Sequence, residues 1–254
     1  MEKHKLIEQR RYDDEAAPFL DREAPRTFGA ESAPPEFRPP YLEFERQVLS
    51  HAKPRVVVLD IGAGTGTFSF TARGEGRVLV AADISPIALR IARKRADAAG
   101  VQLSLVCADA ERLPFRDGAV GLVTSAGALY CFDLPALTAE VRRILRPDGA
   151  WVIVDSLDDN PLYRINRLIG FLRRRRTALT LRNIPTTAAL AALRRDFHRV
   201  DITYHGVLTF LIPLLRPILG GARAGKIVSA ADRWAGWFRR WAFKVVVVAQ
   251  RAAS

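Results

Sequence analysis

The sequence predicts an α/β fold in which a mostly parallel sheet is buried between helices, and three observations carry that expectation. Val56, Val57, Val58, Leu59 and Ile61 form an apolar, β-branched run of the kind covered on both faces in a parallel sheet. That run enters three glycines at alternate positions, Gly62, Gly64 and Gly66, where the backbone is free to take positive φ and approach a ligand closely. The pattern then repeats: Arg77 to Asp83 is a second apolar run ending in an acid, with Ser85 as N-cap and Pro86 at the first helical position.

The remaining elements follow in order. Residues 1–50 hold Asp13-Asp14-Glu15 and six prolines, which reads as an extended or partly helical leader, with a helix from Tyr41 to His51 entering the core. Phe68 to Arg73 reads as the start of a helix after the glycine turn, its free N–H groups pointing at whatever lies over the turn. Pro86 to Ala99 is an amphipathic helix with Ala88, Ile91 and Ala92 inward and Arg90, Arg93, Lys94 and Arg95 on a solvated face, stopped by Gly100. Strands are expected over Gln102–Cys107 and Val120–Ser125. Asp133 caps a helix with buried Leu137, Val141, Ile144 and Leu145, and a fifth strand covers Ala150–Asp155.

The composition is that of a globular chain: 254 residues, 49% hydrophobic and 26% charged. Two cysteines fit a reducing compartment without a disulfide framework, Cys107 being placed at the end of a buried strand. The N-terminal residues carry charge without an apolar core, and the longest apolar run, Val207 to Leu215, ends at Arg216. The expectation is a cytoplasmic protein with no membrane span. The net charge of +12 is unevenly placed: residues 160–254 hold 18 basic and 3 acidic residues, and residues 1–159 are slightly acidic.

The glycine turn differs from a pyrophosphate cradle. It reads G-x-G-x-G, and Asp60 on the strand before it would repel phosphates and suit a cationic ligand bearing a nucleoside. Asp83, at the tip of the second strand, is placed to accept both hydroxyls of a ribose.

Asp60-Ile61-Gly62-Ala63-Gly64-Thr65-Gly66 resembles the first motif of class I S-adenosylmethionine-dependent methyltransferases, and Asp109-Ala110-Glu111-Arg112-Leu113-Pro114-Phe115 resembles their D-A-x-x-L-P-F segment. Leu145-Arg146-Pro147-Asp148-Gly149 is a close variant of their L-x-P-G-G turn, and a Tyr-Asp pair such as Tyr12-Asp13 often occurs in their leaders. Val120-Gly121 stand where that family often has Phe-Asp, and Tyr130 lies where a His often occurs nearby.

The resemblance implies a Rossmann-like sheet of seven strands in the order 3-2-1-4-5-7-6. It implies a leader over 1–50 that folds over the cofactor, the other reading being a solvated arm, and a methyltransferase domain over 51–254. Within that domain residues 51–156 would hold the cofactor and 157–254 the substrate. The implied cofactor is S-adenosyl-L-methionine, leaving as S-adenosyl-L-homocysteine, bound by Asp60, Gly62, Ala63, Gly64, Gly66, Asp83, Ile84, Asp109, Ala110, Ser125 and Tyr12. Candidates for a general base are Tyr130, Asp155 and His205, and no metal cluster is expected.

The substrate half is less determinate. Asn160-Pro161 opens a helix with a stripe of Leu162, Ile165, Leu168, Ile169 and Leu172 that closes on Arg173 to Arg176. A short helix from Thr186 to Asp196 follows. Strands six (His198–His205) and seven (Lys244–Gln250) would be a simple hairpin, yet 206–243 intervene. Trp234, Trp237, Phe238 and Trp241 there fall on one helical face flanked by Arg233, Arg239, Arg240 and Lys244. This is either core packed on the sheet or an interfacial helix in contact with an anionic membrane. Nucleic acid is disfavoured, since no base-methylating Asn-Pro-Pro-Tyr element or RNA-binding module occurs. Three acceptor readings result: O-methylation of a glycan or lipid-linked saccharide at the inner membrane face; methylation of a small apolar metabolite such as a quinone or polyketide, with the insertion as a closed pocket; and a cofactor-binding interaction protein that no longer catalyses.

Overall fold

The computed structural model describes residues 3–22, 27–161, 163–164, 183–232, 234 and 236–253. The chain runs through α1 (Lys3–Leu20), α2 (Pro39–His51), β1 (Val57–Ile61), β2 (Val78–Asp83), α3 (Pro86–Ala98), β3 (Ser104–Cys107), β4 (Val120–Ala126), α4 (Leu134–Ile144) and β5 (Leu145–Ser156). It continues through α5 (Thr187–Ala192), β6 (Arg199–His205), α6 (Ile212–Leu219), α7 (Gly221–Asp232) and β7 (Lys244–Gln250). The expected helix from Asn160 to Arg176 falls almost entirely outside the described residues.

The seven strands stand in the order β3-β2-β1-β4-β5-β7-β6. β1 to β5 pair in parallel, and β7 enters antiparallel between β5 and β6, with Val154 opposite Val246 and Thr203 opposite Val246 on the other side. The expected strand order is the observed one. It follows from β-branched runs that alternate faces: Leu59, Trp151, Ile153, Val245 and Val247 pack on one side with Leu137 and Ile144 of α4. Val58, Val152, Val154, Val246 and Val248 pack on the other with Phe44 and Val48 of α2. Trp151 and Phe44 have no exposed surface, and truncating either to Ala should cost about 3–5 kcal/mol.

The caps at Ser85 and Asp133 are those expected from the sequence, and Thr186, expected as the start of a helix, is its cap. Ser85 Oγ accepts from Ala88 N (3.0 Å), Asp133 from Ala136 N (2.9 Å) and Thr186 from Ala189 N (3.1 Å). Asp148 sits at φ 61° in the Leu145–Gly149 turn, held by Lys53 at 2.5 Å. Gly121, where an acid was the common alternative, lies so close to Val56 that an added Cβ would come within 2.6 Å of the Val56 Cβ.

Four expectations are corrected. Phe68 to Arg73 is a run of turns, with Thr71 N and Thr71 Oγ1 both bonded to Phe68 O (3.1 and 2.8 Å). Seven residues between Gly66 and Gly74 are too few, and too rich in β-branched Thr, to sustain a helical nucleus. Cys107 is exposed, because β3 is an edge strand. Arg95 is 4% exposed and belongs to no solvated face. The aromatic segment breaks into a short 3₁₀ stretch over Gly236–Trp241, with Phe238 off helical geometry (φ −103°, ψ 26°).

The excursion between β6 and β7 leaves and re-enters the sheet at one point. Phe243 N donates to His205 O (3.0 Å) and Gly206 O (3.2 Å), closing its base. Asp232 accepts from Gly206 N and Leu208 N (both 2.8 Å), tying the end of α7 to the same neck.

Candidate functional site

The site forms at the carboxyl ends of β1, β2 and β4, where a parallel sheet leaves its crevice. Gly62, Gly64 and Gly66 take φ of 61°, 52° and 76°. The turn closes with Gly66 N on Ala63 O (2.9 Å), and Ala63 N reaches back to Ala82 O on β2 (3.1 Å). Gly62 lies so close to β4's continuation that an added Cβ would stand 2.5 Å from Ala128 Cβ. Above Gly64 a Cβ would meet nothing within 4 Å, so this backbone faces open space.

Helix α3 supports the turn from behind, Ala92 lying 3.0 Å from where a Cβ on Gly66 would stand. Arg95 of α3 donates from Nη1 to Thr65 Oγ1 and Thr67 Oγ1 (both 3.2 Å) and from Nη2 to Thr27 O (2.8 Å). Burial pulls its guanidinium below the ordinary value. Asp60, 4% exposed, accepts from Ser69 Oγ (2.6 Å) and Thr124 Oγ1 (3.0 Å). Burial raises its pKa to about 6, with Asp83 adding to the shift.

Asp83 holds the rim. One carboxylate oxygen accepts from Gly64 N (2.7 Å), the other from Ser85 N (2.8 Å), and burial moves its pKa upward against those bonds. Asp109, on the neighbouring loop, accepts from Glu111 N (3.1 Å) and from Lys5 Nζ (3.2 Å).

Helix α1 covers this crevice. Asp13 Oδ1 accepts from Ser85 Oγ (2.5 Å) and Ile87 N (3.3 Å) at the amino end of α3, where the helix dipole favours an anion. Lys94 Nζ donates to Leu20 O (2.5 Å), and Lys5 also pairs with Glu111 (2.5 Å). The cavity measures about 310 Å³ and is lined by Gly64, Asp83, Ile84, Asp109 and Ala110 from the carboxyl ends of the strands and the loops beyond them, with Lys5, Tyr12 and Phe19 from α1. Tyr12 Oη lies 3.0 Å from Cys131 Sγ beside Tyr130. Burial pushes the Tyr12 phenol up strongly, and the Tyr130 phenol and the Cys131 thiol to about 12.

The predicted residues therefore divide. Gly62, Gly64, Asp83, Ile84, Asp109, Ala110, Tyr12 and Tyr130 line one cavity. Asp60, Ala63, Gly66 and Ser125 lie outside its lining, Asp60 being spent on Ser69 and Thr124 and Ser125 being fully buried. Of the three candidate bases, Asp155 lies near enough to Tyr130 to raise its pKa, while His205 stands apart. Asp155 is buried behind the cavity and accepts from Leu129 N (2.8 Å). His205 faces a second cavity of about 240 Å³ between Pro39, Asp232 and Phe243, where burial lowers its pKa. Neither departure was visible in the sequence, since a residue's position at a strand end does not fix which cavity it meets. Lys5 and Arg95 went unnoticed as charges of ordinary appearance, and Asp13, marked only as part of the Tyr12-Asp13 pair, was not tied to α3.

The residues present suit S-adenosylmethionine. Open space lies above Gly64, an acid stands at the tip of β2, and carboxylates without phosphate-binding cations ring the rim, Lys5 being already paired.

Comparison with known proteins places this geometry. Residues 58–149 match the family model described as a methyltransferase domain. A demethylmenaquinone methyltransferase of Thermus thermophilus is 38% identical over 101 residues, 39% of this chain and 46% of the relative. A ubiquinone/menaquinone biosynthesis C-methyltransferase of Acidiphilium cryptum is 38% identical over 108 residues, 41% of this chain and 43% of the relative. The chain thus spans less than half the length of the curated relatives it matches. Geranyl diphosphate C-methyltransferase of Streptomyces coelicolor, solved with Mg²⁺, geranyl diphosphate and S-adenosyl-L-homocysteine, shares the fold. Its TM-score is 0.64 at 17% identity, over 99% of this chain and 98% of that one. Residues 58–149 thus match a methyltransferase domain, and the chain as a whole shares its fold with a solved C-methyltransferase that binds S-adenosyl-L-homocysteine.

Proposed function

We propose that the chain binds S-adenosylmethionine in the cavity beneath α1 and transfers its methyl group to a lipid-bearing acceptor. The observation that carries this reading is the meeting of Gly64, Asp83 and Asp109 on one covered rim. In this reading Asp83 accepts the ribose hydroxyls, its carboxylate already fixed by Gly64 N and Ser85 N. Asp109 and the Ala110 N–H read the adenine edge, and Gly62 and Gly64 let the backbone approach the amino-acid portion. The bound cofactor supplies an activated methyl group, so alignment of the acceptor accounts for much of the acceleration. Helix α1 excludes water from the aligned pair.

Tyr130 holds its proton at neutral pH, and we assign it the orientation of the acceptor by hydrogen bonding. Asp155 supports it through Leu129 N, one residue before it. His205 belongs to the second cavity and has no part in this scheme.

For the acceptor, the names of the quinone-methylating relatives and the apolar lining at Ala16, Phe19, Ala88 and Phe132 favour a quinone-type ring. The basic, aromatic excursion favours the second reading, a lipid-linked saccharide at the inner membrane face. Transfer of labelled methyl to fractionated extracts separates them: label in a quinone fraction supports the first, label in lipid-linked saccharides the second. Label in neither, with cofactor binding intact, would leave the non-catalytic interaction protein. Asp83→Ala should lose most affinity for S-adenosylmethionine by calorimetry while keeping its melting temperature within a few degrees. An unchanged dissociation constant would sink the ribose assignment.

A further inference from the structure

The excursion between β6 and β7 exposes what a chain normally hides. Trp234 and Trp237 are 88% and 96% exposed, and Leu214 and Ile218, one turn apart on α6, are 69% and 80% exposed. Ile227 and Phe238 are also more than half-open or nearly so. These side chains do not pack on the sheet; α7 instead buries Ala224, Gly225 and Val228. An added Cβ at Gly225 would come within 2.6 Å of Glu36 Cα. The expectation of a stripe serving as ordinary core is thus met only by Trp241, whose ring packs at the edge of the main core.

Charge follows the same division. Residues 206–243 contain six basic residues and one acid. The acid, Asp232, is turned inward onto Gly206 N and Leu208 N. Arg223, Lys226 and Arg239 are exposed, and Arg216 is exposed with one nitrogen 3.4 Å from the buried Glu36. Outward-facing charge on the described part of the excursion is therefore all positive.

We infer that this excursion is the face by which the protein docks on an anionic membrane surface. Tryptophan suits the bilayer interface because its ring is apolar while its N–H still finds water or a head group. Cations beside apolar side chains then draw on the negative surface potential of the lipid. Charge complementarity selects this occupant over a second copy of the chain, whose own excursion would present the same positive charge. Among the described residues no helix is long and apolar enough to cross a membrane, so the contact lies on the surface. The excursion springs from the carboxyl end of β6, which lies at the same end of the sheet as the covered cavity. Docking would then bring that end toward lipid; this consequence alone rests on the methyltransferase reading.

The test is sedimentation of the full chain with vesicles of phosphatidylcholine, alone or mixed with phosphatidylglycerol. Tryptophan emission is followed in the same samples. Wild type should pellet with the anionic vesicles, shift its emission to the blue, and lose binding about tenfold or more on raising salt to about 0.5 M. W234S/W237S should lose the blue shift and most of the binding, and R223E/K226E should lose the preference for anionic lipid. Equal pelleting on both vesicle types, or a tryptophan variant that binds like wild type, would overturn the inference. So would a dimer seen by light scattering that dissociates in W234S/W237S while no vesicle binds, since a second copy would then cover the face. Calorimetry with S-adenosylmethionine on each variant keeps the two claims apart, because cofactor binding should be unchanged in all of them.

Discussion

Substituting Ala at Gly62 and at Gly64 separates the stability of the turn from its use as a ligand seat. Both residues have positive φ, so each methyl costs about 1–2 kcal/mol for the left-handed backbone. At Gly62 the new Cβ would also stand 2.5 Å from Ala128 Cβ and 3.2 Å from Phe132 Cζ. Relieving that overlap in a packed region costs roughly a further 1–3 kcal/mol. Gly62→Ala should therefore lose about 2–5 kcal/mol, whereas Gly64→Ala, whose Cβ meets nothing within 4 Å, should lose only the backbone part. Urea unfolding followed by tryptophan fluorescence measures both, with unchanged slopes showing that the unfolded state is comparable. Calorimetry should give the opposite ranking for function: Gly64→Ala places its methyl in the cavity and should abolish cofactor binding in a folded protein. A Gly64→Ala protein as unstable as Gly62→Ala, or one that binds S-adenosylmethionine normally, would refute this account of the turn.

Three further outcomes follow from the side chains around it. Asp60 has a folded pKa of about 6 against an ordinary 3.8, so it favours the folded state below pH 4. That contribution fades as pH rises through 6, by about 3 kcal/mol in all. Asp60→Asn should flatten the fall in urea midpoint between pH 4 and 7, and an unchanged profile would mean that the carboxylate is already ionised without penalty. Lys5→Ala leaves Asp109 and Glu111 without their partner on α1, so amide exchange in α1 should speed up while that of β1 and β4 stays constant. Arg95→Met keeps the buried stem but frees Thr65, Thr67 and Thr27, and should weaken S-adenosylmethionine binding through a loosened turn even though Arg95 touches no ligand. Rescue by Arg95→Lys would be partial, since one ammonium cannot span all three oxygens.

The sheet was legible because its signals are local and redundant. β-Branched runs, glycines at fixed offsets and three side-chain caps each state the same topology, and the strand order came out as expected. What failed depended on distance. The missing helix after Gly66 reflects a choice between a short helix and turns in a segment whose Ser69 is bonded to Asp60 on β1 and whose neighbour Thr67 is bonded to Arg95 on α3. Arg95 read as surface because three cations precede it on α3, while its own position alone points under the turn. Asp155 stays behind Tyr130, bonded to Leu129 N, whereas the packing of Pro39 and Phe243 places His205 in the other cavity. The Trp spacing of i, i+3, i+4 and i+7 implied one buried face; a break at Phe238 divides the four, leaving Trp241 inside and Trp234 and Trp237 outside.

The closed neck at Phe243 has a consequence for how such a chain can change. Because His205 O and Gly206 O receive the same N–H, the sheet ends at a fixed gap whatever the length of chain between. Doubling a flexible loop between fixed ends costs only about 0.6 kcal/mol, so the outward side chains of residues 206–243 can change with little penalty, while Val207, Asp232, Trp241, Ala242 and the seam at Glu36 are held by contacts. The glycine turn has no such latitude, since it is tied to Thr27, β2 and α3. The fold thus separates the sheet-end cavity from an outward-facing segment whose anchorage, among the described residues, lies at its neck, the Glu36 seam and Trp241.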